Sequence, residues 1–109
     1  MVKDQLLKKY IPMTETAFYI LLSLTEPRHG YAIVKHVEEM TSSRIKLGSG
    51  TVYGTLAKMQ KDGLITVFAD EDRKTVYEIC EDGKRVMTAE IERLSELYGN
   101  ALKYKGEFL

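Results

Sequence analysis

Hydroxyl, phenol and ammonium groups crowd one short stretch of this chain. Between Leu47 and Leu64 it reads LGSGTVYGTLAKMQKDGL, so Ser49, Thr51, Tyr53, Thr55, Lys58 and Lys61 stand within thirteen residues of one another, with Lys46 just ahead. Arg73 and Lys74 follow, between the β-forming runs ITVFA (65–69) and TVYEI (75–79). The chemistry these groups share is donation to anionic oxygen and to base edges, which is what contact with a phosphodiester backbone and a groove floor requires. Catalytic arrangements are missing. There is no Ser-His-Asp logic, no glycine-rich phosphate loop opening a helix after a strand, and no carboxylate pair set for acid–base work, so neither an enzyme nor a cofactor is expected. His29 and His36 lack Cys or Asp neighbours at ligand spacing. They read as a turn residue and an exposed helix residue, and no metal is assigned.

The donors need a helix to present them. Ser49 reads as its N-cap and Gly63 as the left-handed residue that ends it, which predicts a helix from about Gly50 to Asp62. Val52, Leu56 and Met59, at i, i+4 and i+7, face a core and leave Thr51, Thr55 and Lys58 on the outer side. Any amphipathic helix shows such a stripe, so its neighbours decide. Downstream, Ile65, Val67 and Ala69 alternate with Thr66 and Phe68, and Tyr77 and Ile79 with Val76 and Glu78, as half-buried strands should. The expected loop is Asp70 to Lys74. Arg73 and Lys74 there can touch phosphate or enter a minor groove, although Asp70, Glu71 and Asp72 beside them repel the same polyanion.

A chain of 109 residues with formal net charge zero is one small domain, without the strongly basic balance of a nonspecific nucleic-acid binder. A DNA reader of this composition must segregate its charge. Lys35, Arg44, Lys46, Lys58, Lys61, Arg73 and Lys74 occupy the middle, whereas acidic residues gather from Glu78 to Glu96. One cysteine, Cys80, excludes an internal disulfide and suits a reducing compartment. With no apolar signal core in MVKDQLLKKY and no membrane-length apolar run, a cytoplasmic, non-membrane protein is expected.

The remaining elements frame this unit. Val2 to Tyr10 predicts a short helix with Leu6, Leu7 and Tyr10 on one side, ended where Pro12 biases Ile11 from helical geometry. Thr14 caps a second helix, which Glu15 complements and whose buried face is Ala17, Leu21 and Leu24. Ile33, Val37 and Met40 mark a third. From Glu81 to about Tyr104 a coiled-coil-like seam runs through Met87, Ile91, Leu94, Tyr98 and Ala101, and a homodimer is the economical reason for it. Two reading helices about 34 Å apart then match one duplex turn and a near-palindromic operator. The fold expected is mainly α with a small β-hairpin (α+β), a winged helix-turn-helix. Residues 1–12 form a docking or dimerisation helix, 13–80 the winged helix, and 81–109 a dimerisation helix. Tyr10, Phe18, Met87 and Tyr98 are the candidate lining of a small-molecule effector site, with core packing as the cheaper explanation. The rival to a DNA reader is a winged helix serving as a protein-interaction module.

Three ordered blocks, HGYAI at 29–33, LGSGTVYGTLAKMQKDGLI at 47–65 and YEICEDGKRV at 77–86, resemble the PadR family of bacterial and archaeal transcriptional regulators. The likeness runs from Thr14 to the start of the last helix. It implies a recognition helix holding Thr51, Tyr53 and Lys58, a wing holding Arg73 and Lys74, and a dimer built from both terminal helices, in the branch with one final helix. Repression of a promoter and release by a small molecule are also implied by the resemblance alone. Two departures stand out. Cys80 replaces the threonine or serine that usually caps the last helix, with a tolerated packing substitution as the favoured reading and a redox switch as the minor alternative. Some multidrug-responsive relatives sandwich flat ligands between tryptophans, and this chain has none.

Overall fold

Thr14 shows how local chemistry starts an element here: its Oγ1 accepts from the Ala17 N–H at 3.1 Å, and helix α2 begins at the next residue. The computed structural model describes residues 2–108, and the side chains of all of these except 2–4 and 71. In chain order they form α1 (Val2–Tyr10), α2 (Glu15–Leu22), a 3-10 turn (Ser23–Thr25), β1 (Arg28–His29) and α3 (Gly30–Met40). Then come α4 (Ser49–Lys61), β2 (Ile65–Glu71), β3 (Lys74–Ile79), α5 (Glu81–Leu102) and a 3-10 turn (Lys105–Phe108). The sheet is antiparallel in the order β1-β3-β2. The α+β winged-helix architecture is the one expected.

The apolar periodicities converge on one core. Ile20, Leu21, Leu24, Ile33, Val37, Val52, Leu56, Met59 and Leu64 are wholly buried, and Leu6, Tyr10, Ile65, Val86 and Met87 complete the cluster. Two expected core residues do less. Ala17 is half-buried, and Met40, in the last turn of α3, is exposed. The helix α4 ends as foreseen: Gly63 has φ +80°, and the Gly63 and Leu64 N–H groups donate to the Gln60 and Met59 carbonyls at 3.1 and 2.9 Å, a Schellman closure. Its start differs. Gly48 is the cap, extended at φ −81° and ψ 150°, and its carbonyl accepts from Val52 N at 3.1 Å; Ser49 is already the first helical residue and caps nothing.

The wing is tighter than the five-residue loop expected. Pairing continues to Glu71 and Lys74, leaving a two-residue turn in which Asp72 and Arg73 have φ of 46° and 67°. Two successive positive φ angles are the type I′ hairpin geometry, whose twist matches the strands. The register slips between Val67 and Ala69, so a bulge interrupts the simple alternation and Phe68 is exposed. Strand β1 was not foreseen at all. Arg28 and His29 pair with Tyr77 and Val76 in a stretch too short to alternate.

Two carboxylates pin the terminal helices to this frame. Tyr10 donates to Asp62 Oδ2 at 2.6 Å, and Lys9 Nζ lies 2.9 Å from Oδ1, which fixes α1 to the C-terminal end of α4. An acid there opposes the helix dipole, and its two donors offset that cost. They hold the Asp62 carboxyl below its ordinary range, the Tyr10 hydrogen bond foremost, while burial and Asp62 push the Tyr10 phenol up. Glu90 of α5, one of the acidic residues between Glu78 and Glu96, is 1 % exposed. It accepts from Arg93 Nε and Nη2 at 2.6 and 2.9 Å and from Met13 N at 2.9 Å. Arg93 chiefly, then the Met13 N–H, holds its carboxyl low against burial.

Both acids therefore contribute stability that is present above the unfolded carboxylate range and lost as pH falls through their lowered folded values. Glu90→Ala should cost on the order of 2–4 kcal/mol at neutral pH, because it leaves Met13 N and Arg93 without their acceptor. Denaturant melts from neutral to acid pH check this. The variant should lose less than the wild type on acidification; parallel curves would contradict the assignment.

Candidate nucleic-acid interface

With Val52, Leu56 and Met59 wholly buried, the rotation of about 100° per residue sends Gly50, Gly54, Ala57 and Lys61 to the front of α4. All four are exposed, and a Cβ at Gly50 or Gly54 would meet nothing within 4 Å. The middle of the front thus carries almost no side chain, and the chemistry lies on the two flanks.

On one flank, Tyr53 turns toward the wing. It shares a cleft of about 200 Å³ with His29, Tyr31, Arg73, Lys74, Thr75 and Tyr77, so residues far apart in sequence meet where α4, the start of α3 and the hairpin join. Arg73 and Lys74 are exposed, and Arg73 holds its left-handed backbone without being glycine. His29 caps α3: its Nδ1 accepts from Ala32 N at 3.3 Å and so carries no proton in this arrangement. On the other flank, Thr55 and Lys58 line a cleft of about 250 Å³ against Lys9, Tyr10, Pro12, Met13 and Thr14. Lys58 Nζ lies 5.4 Å from the centre of the Tyr10 ring, a cation–π contact that ties it to α1. Thr55 is half-buried there, while Ser49 and Thr51 are exposed near the helix start.

The basic residues of the middle region are not equally free. Arg44 forms a bidentate pair with Glu15 at 3.0 and 2.7 Å, and Lys35 lies 5.2 Å from the Tyr31 ring centre. That pair lowers the Glu15 carboxyl and neutralises Arg44 locally. Among the described residues no carboxylate pairs with Lys46 or Lys61, and both are exposed.

Helix α5 carries a second surface. Its buried stripe at Gly83, Val86, Met87 and Glu90 continues along the helix as Leu94, Leu97, Tyr98, Ala101 and Leu102, all exposed. Of the residues expected to dimerise, Leu6, Tyr10 and Met87 are buried in the chain's own core and Leu7 is half-buried, while Ile91, Leu94, Tyr98 and Ala101 present surface. Leu97, 53 % exposed, belongs to the same stripe, although the four-and-three spacing through Met87, Ile91, Leu94 and Tyr98 does not include it.

The four candidate effector residues are dispersed. Tyr10 borders the cleft beside α4, Phe18 lines a separate pocket with Met13, Glu15, Tyr19, Glu90 and Leu94, Met87 is core, and Tyr98 is exposed far along α5. His36, expected on the surface, is half-buried and meets Ser23 Oγ at 2.8 Å. Because Ser23 donates to the Tyr19 carbonyl, the imidazole Nδ1 is the donor. Among the described residues, no three His, Cys, Asp or Glu side chains are grouped to hold a metal ion. Cys80 occupies the cap position of α5 without a side-chain hydrogen bond, and burial, then Glu78 and Asp82, push its thiol up.

The fold is shared by solved proteins. A transcriptional regulator from Clostridium thermocellum superposes with a TM-score of 0.73 at 24 % identity, covering 92 % of this chain and 94 % of that one. PadR family regulators from Eggerthella lenta and Clostridium difficile give 0.67 and 0.68 at 22 % and 21 % identity, over 94 % and 81 % of this chain and 87 % and 96 % of theirs. At such identities the likeness is one of fold. A 37.1 kDa protein of transposon TN4556 from Streptomyces fradiae is 27 % identical over 85 residues, which are 77 % of this chain and 24 % of that protein, so the chain spans about a quarter of its length. The model of the transcriptional regulator PadR-like family matches residues 20–89, from α2 to the first turns of α5, and the chain belongs to that family.

Proposed function

We propose that this chain is a sequence-specific, double-stranded DNA-binding regulator that works as a homodimer on a near-palindromic operator and represses transcription by occupying a promoter. The observation that carries the reading is the cleft joining Tyr53 of α4 to Arg73 and Lys74 of the wing. Donors from two elements converge there beside a helix front bare enough to approach a groove floor. Ser49 and Thr51 at the α4 start are the candidates for base edges, with Lys46 and Lys61 for phosphate. Thr55 and Lys58 contribute from the flank next to α1, where Lys58 also braces Tyr10. The exposed apolar continuation of α5 supports the dimer, because an apolar stripe of this length in water calls for a partner and a second copy supplies the same stripe. Release by a small molecule rests on family resemblance, since the four candidate lining residues do not share a cavity. The chain's activity belongs in the cytoplasm on this reading. No helix among the described residues is long and apolar enough to cross a membrane.

Titration of the purified protein with duplex from its own upstream region, against a scrambled competitor at two salt concentrations, tests the reading. A selective complex of one dimer per site is expected, with a salt slope that falls by about one unit in Lys74→Ala. Absence of preference for any DNA would move the function to a protein-interaction module, which the zero net charge and the Glu15–Arg44 pair would then suit. Leu97→Asp with Tyr98→Asp should give a monomer by sedimentation and bind the duplex far more weakly; an intact dimer would contradict the α5 interface. Arg73→Gly separates function from folding. Relief of the positive φ should stabilise the hairpin by up to about 1 kcal/mol while DNA affinity and salt slope fall. Unchanged affinity would remove the wing from the interface.

A further inference from the structure

The residue beneath Tyr53 is Gly30, the first residue of α3. Its backbone does not demand glycine, because Gly63 is the only glycine with a positive φ among the described residues. Helix propensity argues against glycine at that place, since it loses more backbone freedom than alanine. Space is what requires it. A Cβ on Gly30 would lie 2.6 Å from both Tyr53 Cζ and Oη and 2.8 Å from Cε1. Gly30 is buried under the ring, whereas Tyr53 remains 51 % exposed. The phenol therefore lies across the first turn of α3 and opens on the cleft with Arg73 and Lys74. Among the described residues its hydroxyl makes no side-chain hydrogen bond. An exposed donor without a protein acceptor, sharing its cleft with two cations, is an arrangement that an anionic oxygen completes.

We infer that Gly30 is a positioning residue for DNA binding: by presenting no side chain, it seats the Tyr53 phenol where its hydroxyl donates to a backbone phosphate. This rests on the DNA-binding reading above. The obstruction a methyl group would create is with the far end of a side chain, so Gly30→Ala is accommodated by swinging the Tyr53 ring and not by moving the backbone. Gly83 is the contrast. A Cβ there would run into the Leu64 carbonyl, which is main chain, and would lie 2.6 Å from Ile79 Cγ1. Gly30 thus acts through Tyr53, while Gly83 holds helix packing.

The test is a cycle of Gly30→Ala, Tyr53→Ala and the double variant, with Tyr53→Phe beside them. Each is titrated with the duplex from the chain's own upstream region at two salt concentrations and melted without DNA. Gly30→Ala and Tyr53→Phe should each bind roughly tenfold more weakly, the loss expected for one hydrogen bond to a charged group. Melting should remain near that of the wild type, and the salt slope should not change, because a neutral hydroxyl displaces no counterion. The double variant should bind like Tyr53→Ala alone. Wild-type affinity in Gly30→Ala, or a loss that adds in full to that of Tyr53→Ala, would overturn the inference while leaving the DNA reading intact. If Gly30→Ala does not fold, the inference requires that the double variant does, since the obstructing ring is gone; an unfolded double variant would overturn it. A wild type that prefers no DNA overturns the reading and the inference together.

Discussion

The corner Asp62–Gly63–Leu64 is the constraint on which the rest of the molecule depends. Asp62 receives Tyr10 and Lys9 from α1, and Gly63 supplies the left-handed residue that closes α4. The carbonyl of Leu64 accepts from Cys80 N at 2.8 Å and lies against Gly83, so the hairpin's exit and the start of α5 pack on the same residue. Four elements meet within three residues. Of these only the glycine conformation is a local preference. The others are long-range contacts that form only when α4 ends at this point, and they hold its rear while its front stays in water.

Held in that way, α4 gives a net-neutral protein a polar, locally basic face. Neutrality overall does not prevent this, because screening confines exposed charges to a range of about 10 Å and the sign near the groove decides. The structure sorts its cations accordingly. Arg44 is neutralised by Glu15, Lys58 braces Tyr10, and Lys46, Lys61 and Arg73 are exposed around α4 and the wing tip. Arg73 bears an unfavourable backbone conformation to stand there, with a carboxylate, Asp72, beside it in the same turn.

The legible part of this architecture was the part written in short-range rules. Val52, Leu56 and Met59 repeat with helical period and Gly63 punctuates, so α4 and the order of elements could be read directly. Where two local rules compete, the sequence is ambiguous: Ser49 is the better capping side chain, yet Gly48 takes the position because the chain enters extended one residue earlier. The Asp72–Arg73 turn was hidden because neither residue is glycine, and β1 because two residues cannot alternate. The burial of Glu90 is not legible because its partners lie at Met13 and Arg93, one of them a backbone N–H that no pattern announces. Of the candidate site, Tyr53, Arg73 and Lys74 share a cleft, a juxtaposition that their separation along the chain does not announce. The role of Gly30 beneath them needed three dimensions.

Hydroxyl-radical footprinting of the protein on duplex from its own upstream region tests the central claim most directly, since it reports which backbone sugars are covered and at what spacing. Two α4 helices carried by an α5-linked dimer, each with a wing beside it, should protect two matching segments on one face of the duplex, centred about 34 Å apart. Protection of a single segment, of segments on opposite faces, or of none would contradict the account.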